Sequence, residues 1–170
     1  MEFQKVLDTR YSVRSYKQTP VEEEKIQAIL NAAKIAPTAK NSQPQKIFVV
    51  KSEEGMQKVK ELTTCHFDAP LVFIICGDSD RACILKSNGK NFMEIDCAIV
   101  QTYMMLKASD LGLGTCWVGR IMPDDVKSAF SLPENLVVYG FLVCGYPADD
   151  CEPAPRHFDR LDLKDFVKEL

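Results

Sequence analysis

The stretch from Cys97 to Leu111, CAIVQTYMMLKASDL, constrains this chain more than any other. Its spacing predicts a helix, ended by Gly112-Leu113-Gly114. The apolar residues Cys97, Ala98, Ile99, Val100, Tyr103, Met104, Met105, Leu106, Ala108 and Leu111 surround the helix axis instead of forming one stripe. A helix that is apolar all round must be covered on all sides. In a chain of 170 residues, part of that cover is expected from a second subunit; the alternative is a central core helix inside a monomer.

The elements around it alternate. A short opening helix is expected at 2–9 from Phe3, Val6 and Leu7. Thr19-Pro20-Val21-Glu22 reads as a helix start, with Thr19 as cap and Glu22 completing a capping box. That helix runs through Ile26, Ile29, Leu30 and Ala33 until Pro37 forbids more. Strands are expected at 46–51 (KIFVVK), 70–77 (PLVFIICG), from Thr115 onward, and at 136–144 (LVVYGFLVC). Residues 53–63 are helical with Val59 and Leu62 inward, and 78–92 form a loop with room for a short helix. Pro123-Asp124-Asp125 opens another helix, its acids in the first turn where the macrodipole favours them. A proline-rich arm (Pro147, Pro153, Pro155) leads to a last helix at 163–170. Strands alternating with helices give a layered α/β or α+β domain, and no repeat, linker or composition shift divides 1–170.

Composition narrows the partners. Lys+Arg 21 against Asp+Glu 24 leaves a net charge of −3, a poor balance for wrapping nucleic acid. No apolar run approaches a membrane span, and Met1-Glu2-Phe3-Gln4-Lys5 lacks a basic-then-apolar signal region. Seven cysteines are scattered, odd in number and never at C-x-x-C spacing. They therefore point to core thiols in a reducing cytoplasm, with no metal site.

Four segments hold residues suited to chemistry. In an extended Arg10-Tyr11-Ser12-Val13-Arg14, the two guanidinium groups and the hydroxyl point one way while Tyr11 and Val13 point the other. Two guanidinium forks flanking a hydroxyl suit a phosphate or a polarised carbonyl; a solvated charged edge reads the same way. Ala36-Pro37-Thr38-Ala39-Lys40-Asn41-Ser42-Gln43-Pro44 brackets small polar residues between prolines, either a ligand loop or an ordinary turn. Gly112-Leu113-Gly114-Thr115-Cys116-Trp117-Val118-Gly119 sets the only tryptophan beside glycines that let a flat ligand approach the backbone. Pro155-Arg156 adds a lone cation near the end.

In this order the four segments resemble the nitroreductase family of flavin enzymes, in its short members, over essentially the whole chain. The resemblance implies an α+β fold, a central sheet flanked by helices, built as an intertwined homodimer with two FMN sites at the subunit interface. It implies that Arg10 and Ser12 hold the phosphate with Arg156, that Tyr11 belongs to the same binding segment, and that Arg14 sits by the pyrimidine edge of the ring. Pro37, Thr38, Ala39 and Asn41 would reach across from the partner subunit, and the backbone of Cys116, Trp117, Val118 and Gly119 would face the ring. A cation near N1 and the C2 carbonyl raises the reduction potential, and an amide aimed at N5 orders the position that gives and takes hydride. The flavin carries the reaction, so no catalytic side chain is needed, neither His66 nor His157, and His66 is expected to be structural. Turnover is expected to be ping-pong, with NAD(P)H as donor and a nitroaromatic, quinone or similar electron-poor small molecule as acceptor.

Two alternatives remain at this level: a flavin-binding or redox-sensing protein without rapid nicotinamide turnover, and a thiol-based redox protein in which Cys116 would be the thiol to test. The family's helical excursion over the site is reduced here to about 80–94, with Leu85–Lys90 as a short lid. No amide or lysine suited to the pyrimidine edge is evident at Thr63-Thr64-Cys65-His66. Gly112 and Gly114 precede a strand, so a separate dinucleotide fold is unsupported and NAD(P)H would stack on the flavin itself.

Overall fold

The computed structural model describes residues 2–170. Among them, strands β1 (Gln45–Val50), β2 (Leu71–Asp78), β3 (Gly114–Val118) and β4 (Leu136–Gly145) form one sheet in the order β1-β2-β4-β3, every pair antiparallel. The helices are α1 (Phe3–Thr9), α2 (Glu23–Ile35), α3 (Glu53–Leu62), α4 (Met93–Asp110), α5 (Pro123–Phe130) and α6 (Leu163–Phe166). Antiparallel pairing throughout makes this an α+β architecture and removes the α/β alternative.

The side-chain period of two sorts β2 cleanly. Val72, Ile74 and Cys76 face a core shared with Val59 of α3 and Val126 of α5, whereas Leu71, Phe73 and Ile75 face Ile26 and Ile29 of α2 and Val100 and Met104 of α4. All eight β2 residues are buried, as expected for a strand covered on both faces. In β4 the parity changes partway. Leu136 and Val138 share the α3/α5 face with Phe141 and Val143, because the register shifts where Ile75 pairs with Gly140 and Cys76 with Val138. Tyr139 is the extra residue of this bulge, and it packs on the α2/α4 side.

Most expected elements are present, with three corrections. Helix α2 begins at Glu23, so Thr19 is not its cap and there is no capping box. Glu22 instead accepts the Tyr146 hydroxyl at 2.8 Å, a tie across the fold that a local motif cannot reveal, and pairs with nearby Lys25 at 3.5 Å. Helix α4 starts at Met93 rather than Cys97, and α6 is a single turn, not the whole of 163–170. Residues 78–92 contain the short helical turn Ser79–Arg81 and a bridge between Ile84 and Asn91.

One face of α4 is fully covered: Cys97, Val100, Met104 and Ala108 lie in the core. The other, carrying Ile95 and Tyr103, stays open on the protomer. The all-round apolar character of this helix is thus only half satisfied within one chain. Among the described residues, no helix is long and apolar enough to cross a membrane.

The extended segment after α1 lies against β3. The Val13 amide donates to the Thr115 carbonyl at 3.0 Å, and Ser12 bridges Thr115 in parallel. On its other side Lys17 donates to the Tyr146 carbonyl at 2.8 Å, and Ala148 to that of Ser15 at 3.0 Å. Val13 is 1% exposed and packs where a side chain on Gly114 would otherwise stand: a Cβ there would lie 2.5 Å from Val13 Cγ2. Gly114→Ala is therefore expected to destabilise the fold by about 2 kcal/mol through overpacking. That is a fall in Tm of roughly 4–8 °C, with faster hydrogen exchange at the Val13 amide. Unchanged melting and exchange would show that the contact is not tight.

Candidate active site

Arg10, Ser12 and Arg14, from one short segment, and Arg156, which the sequence places far from them, line a single cavity of about 220 Å³ together with Ala154, His157 and Arg160. The first three come from the segment hydrogen-bonded to β3; the others come from the arm that follows β4. Among the described residues, none of the four guanidinium groups has a carboxylate partner within ion-pair distance. Arg14 donates to the Ser12 carbonyl at 3.1 Å, and Arg10 lies 3.9 Å from Met105 Sδ on α4. Four unneutralised guanidinium groups with a hydroxyl make a site for a dianion such as a phosphate monoester.

The Tyr11 side chain is not among those that line this cavity. Its hydroxyl donates to the Cys151 carbonyl at 2.8 Å, and its ring lies edge-on to His157 with centroids 6.3 Å apart. Burial pushes the Tyr11 phenol up to about 12, which keeps the donating proton in place. Tyr11 therefore fastens the arm that carries Arg156. The alternation along the extended segment had already turned it away from its neighbours Arg10 and Ser12.

Arg14 also lines an adjoining chamber of about 150 Å³ with Cys65, Phe67, Cys116, Trp117, Val118, Gly119 and Arg120. Trp117 is 39% exposed at its edge, and a Cβ on Gly119 would meet nothing within 4 Å, so the backbone there is open to a flat ligand. The dianion cavity and the flat-walled chamber adjoin through Arg14, and together they suit a phosphate-bearing planar cofactor such as FMN. The Cys116 thiol is pushed up by burial, as are those of Cys76, Cys97 and Cys144, which reach about 12. A redox thiol needs the opposite shift, which removes the support for a thiol-based mechanism at Cys116. Among the described residues, no group of three or more His, Cys, Asp or Glu side chains could hold a metal ion.

Pro37, Thr38, Ala39 and Asn41 line neither cavity within this protomer; they form a loop between α2 and β1. Lys40, Asn41 and Gln43 have φ of 51°, 54° and 50°, left-handed conformations that cost non-glycine residues about 1 kcal/mol or more each. The loop is held from outside. Asp96 on α4, 1% exposed, accepts the Ala39 amide at 2.8 Å, and Arg81 Nε donates to the carbonyls of Ser42 and Gln43 at 3.2 and 3.1 Å. Thr38 Oγ1 accepts the Gln43 amide at 3.1 Å.

His66 is structural, as expected: its Nδ1 accepts the Asp68 amide at 2.9 Å, stabilising a turn in which Phe67 and Asp68 both have positive φ. His157, which the reaction was not expected to need, lines the dianion cavity. Sequence reasoning also missed Arg160, Arg120, Phe67 and Asp96. Arg120 immediately follows the ring-facing motif, and that adjacency was the available signal; nothing local marked Asp96.

The Nitroreductase family profile matches residues 7–72 and 66–146. The chain belongs to the nitroreductase family. It is 38% identical to a nitroreductase family protein from Clostridium difficile 630, with a TM-score of 0.92 over 99% of this chain and 98% of that one. A Bacillus subtilis protein named FMN reductase [NAD(P)H] is 30% identical, over 89% of this chain and 68% of its own length. A structure from Exiguobacterium sibiricum solved in complex with FMN shares the fold, with a TM-score of 0.87 at 22% identity over 100% of this chain and 98% of that one.

The clamp on the 38–43 loop of this nitroreductase-family protein is directly testable. Asp96→Ala removes a charge-assisted bond worth about 2 kcal/mol and is expected to speed hydrogen exchange at the Ala39 amide at least tenfold (about 1.4 kcal/mol). Asp96→Asn keeps an acceptor oxygen and should lose less. Equal exchange in Asp96→Ala and wild type would show that the loop holds itself.

Proposed function

We propose that this protein is an FMN-dependent oxidoreductase that takes a hydride from NAD(P)H and passes it to an electron-poor small molecule such as a nitroaromatic or a quinone, in ping-pong order. The observation that carries the reading is the convergence of Arg10, Ser12, Arg14 and Arg156 on one cavity that adjoins the Cys116–Gly119 chamber through Arg14. The family membership and the relatives' names for FMN and NAD(P)H support it.

In this reading Arg10, Ser12 and Arg156 hold the phosphate, with His157 and Arg160 completing the cavity wall. Arg14 lies between phosphate and ring, where its charge favours electron density on the pyrimidine side. The amides of the Cys116–Gly119 stretch present donors to the ring edge. When bound, FMN supplies a position that accepts and returns hydride, so the protein's share is binding, orientation and electrostatics.

The active unit is a homodimer. Support comes from the open apolar face of α4, where Ile95, Ala98, Ile99 and Tyr103 line a groove with Trp117. Further support comes from the exposed Phe158, Leu161, Leu163 and Phe166 of the last arm. The loop bearing Pro37, Thr38, Ala39 and Asn41 would then complete the partner's site. Light scattering is expected to give a mass about twice 19.2 kDa; a monomeric mass at micromolar concentration would remove the shared site.

The decisive experiment is an absorbance spectrum of the purified protein under argon, before and after NADH or NADPH. Flavin bands that a nicotinamide bleaches are the expected result. Bands that bleach only with dithionite would favour a flavin-binding protein or a protein electron donor. A colourless protein that takes up no added FMN would end the reading. Arg10→Ala is expected to lower FMN affinity at least tenfold, about 1.4 kcal/mol or more, while the circular dichroism spectrum stays native. Undiminished affinity would take Arg10 out of the site.

A further inference from the structure

A third cavity, of about 420 Å³, continues the series: Arg120 lines both it and the ring chamber, as Arg14 lines both the ring chamber and the dianion cavity. The three therefore follow one another, each neighbouring pair sharing one arginine. A cofactor with its phosphate in the first and its ring in the second leaves the third open to the reactant that meets the ring.

Among the described residues, the wall of this third cavity holds one cation, Arg120, without an ion-pair partner, and one carboxylate, Glu61, whose hydrogen-bond partner Gln57 is neutral. Lys60 is paired with Asp68 at 2.9 Å, and Glu61 accepts from Gln57 Nε2 at 3.0 Å. Among the described residues, the Arg120 guanidinium has no carboxylate partner. Its backbone is nonetheless fixed, because the buried Thr63 donates its hydroxyl to the Arg120 carbonyl at 2.7 Å. Ile121 and Met122 add an apolar wall. A fixed backbone, a free guanidinium and an adjoining apolar surface suit an aromatic molecule that carries an acid group.

We propose that Arg120 is a substrate-selecting residue that holds a carboxylate or phosphate on the reactant stacked over the ring chamber. This rests on the oxidoreductase reading above. The anion comes either from an acid group on the electron acceptor or from a phosphate of the nicotinamide donor, and one experiment separates the two. FMN-loaded wild type, Arg120→Lys and Arg120→Gln are titrated calorimetrically with two pairs of probes. One pair is 4-nitrobenzoate and the neutral 4-nitrobenzamide; the other is NAD+ and nicotinamide riboside, which lacks phosphate.

In wild type the anionic member of one pair binds more tightly. In Arg120→Gln that preference falls about tenfold or more, the loss expected for a charge-assisted hydrogen bond, and Arg120→Lys keeps part of it. A change confined to the benzoate pair assigns the anion to the acceptor; a change confined to the dinucleotide pair assigns it to the donor. Equal ratios in wild type and Arg120→Gln for both pairs overturn the proposal. Turnover of 4-nitrobenzamide with NADH or NADPH is measured alongside. Turnover without Arg120-dependent discrimination counts against the anion site alone. Discrimination without turnover counts against the oxidoreductase reading and upholds the anion site.

Discussion

The hydrogen bond from the Val13 amide to the Thr115 carbonyl organises this molecule's chemistry. It is a single backbone bond of 3.0 Å, but it lays the Arg10–Arg14 segment alongside the strand that carries Cys116 and Trp117. Without it, two guanidinium groups would be an exposed edge and the flat backbone of β3 a surface. The bond needs Gly114, because a side chain there would collide with Val13. The arm after β4 then closes on the same segment through Tyr146, Ala148 and the Tyr11 hydroxyl, which brings Arg156 beside Arg10.

The sheet supports this by being covered on both faces. Cores of comparable size lie on either side of β2 and β4, so the central strands are anchored and the edge strand β3 is free to carry the site. The bulge at Gly140 changes which β4 residues face each core and keeps large apolar side chains on both. The 38–43 loop stores strain in three left-handed residues, held by a buried carboxylate on α4 and by Arg81. Such strain persists only where the surroundings over-determine the backbone. Here the surroundings are α4, the helix whose other face is left open.

Two electrostatic features divide the labour of the site. The dianion cavity gathers four arginines with no carboxylate in its lining, a concentration of charge that favours an anionic ligand. The thiols of Cys76, Cys97, Cys116 and Cys144 are buried and held protonated, so these four act as packing.

Much was legible in the amino-acid sequence because it is written locally. The apolar runs at 71–78 and 136–145 are strands buried at all or most positions, 45–50 is an edge strand that buries Val50, and Pro37 and Gly112 end helices by backbone chemistry alone. The motifs around Arg10, Thr38, Cys116 and Arg156 named the family on residue order. What tertiary structure decided is everything that depends on contacts between distant segments. The cap expected at Thr19 gave way to a contact between Glu22 and Tyr146. The Tyr11 hydroxyl went to the distant Cys151 carbonyl, and His157, Arg160 and Arg120 joined cavities that no spacing marks. A pattern in sequence records propensity and periodicity. Which guanidinium groups share one cavity is set by the packing of a whole sheet and its helices, a property no single segment carries.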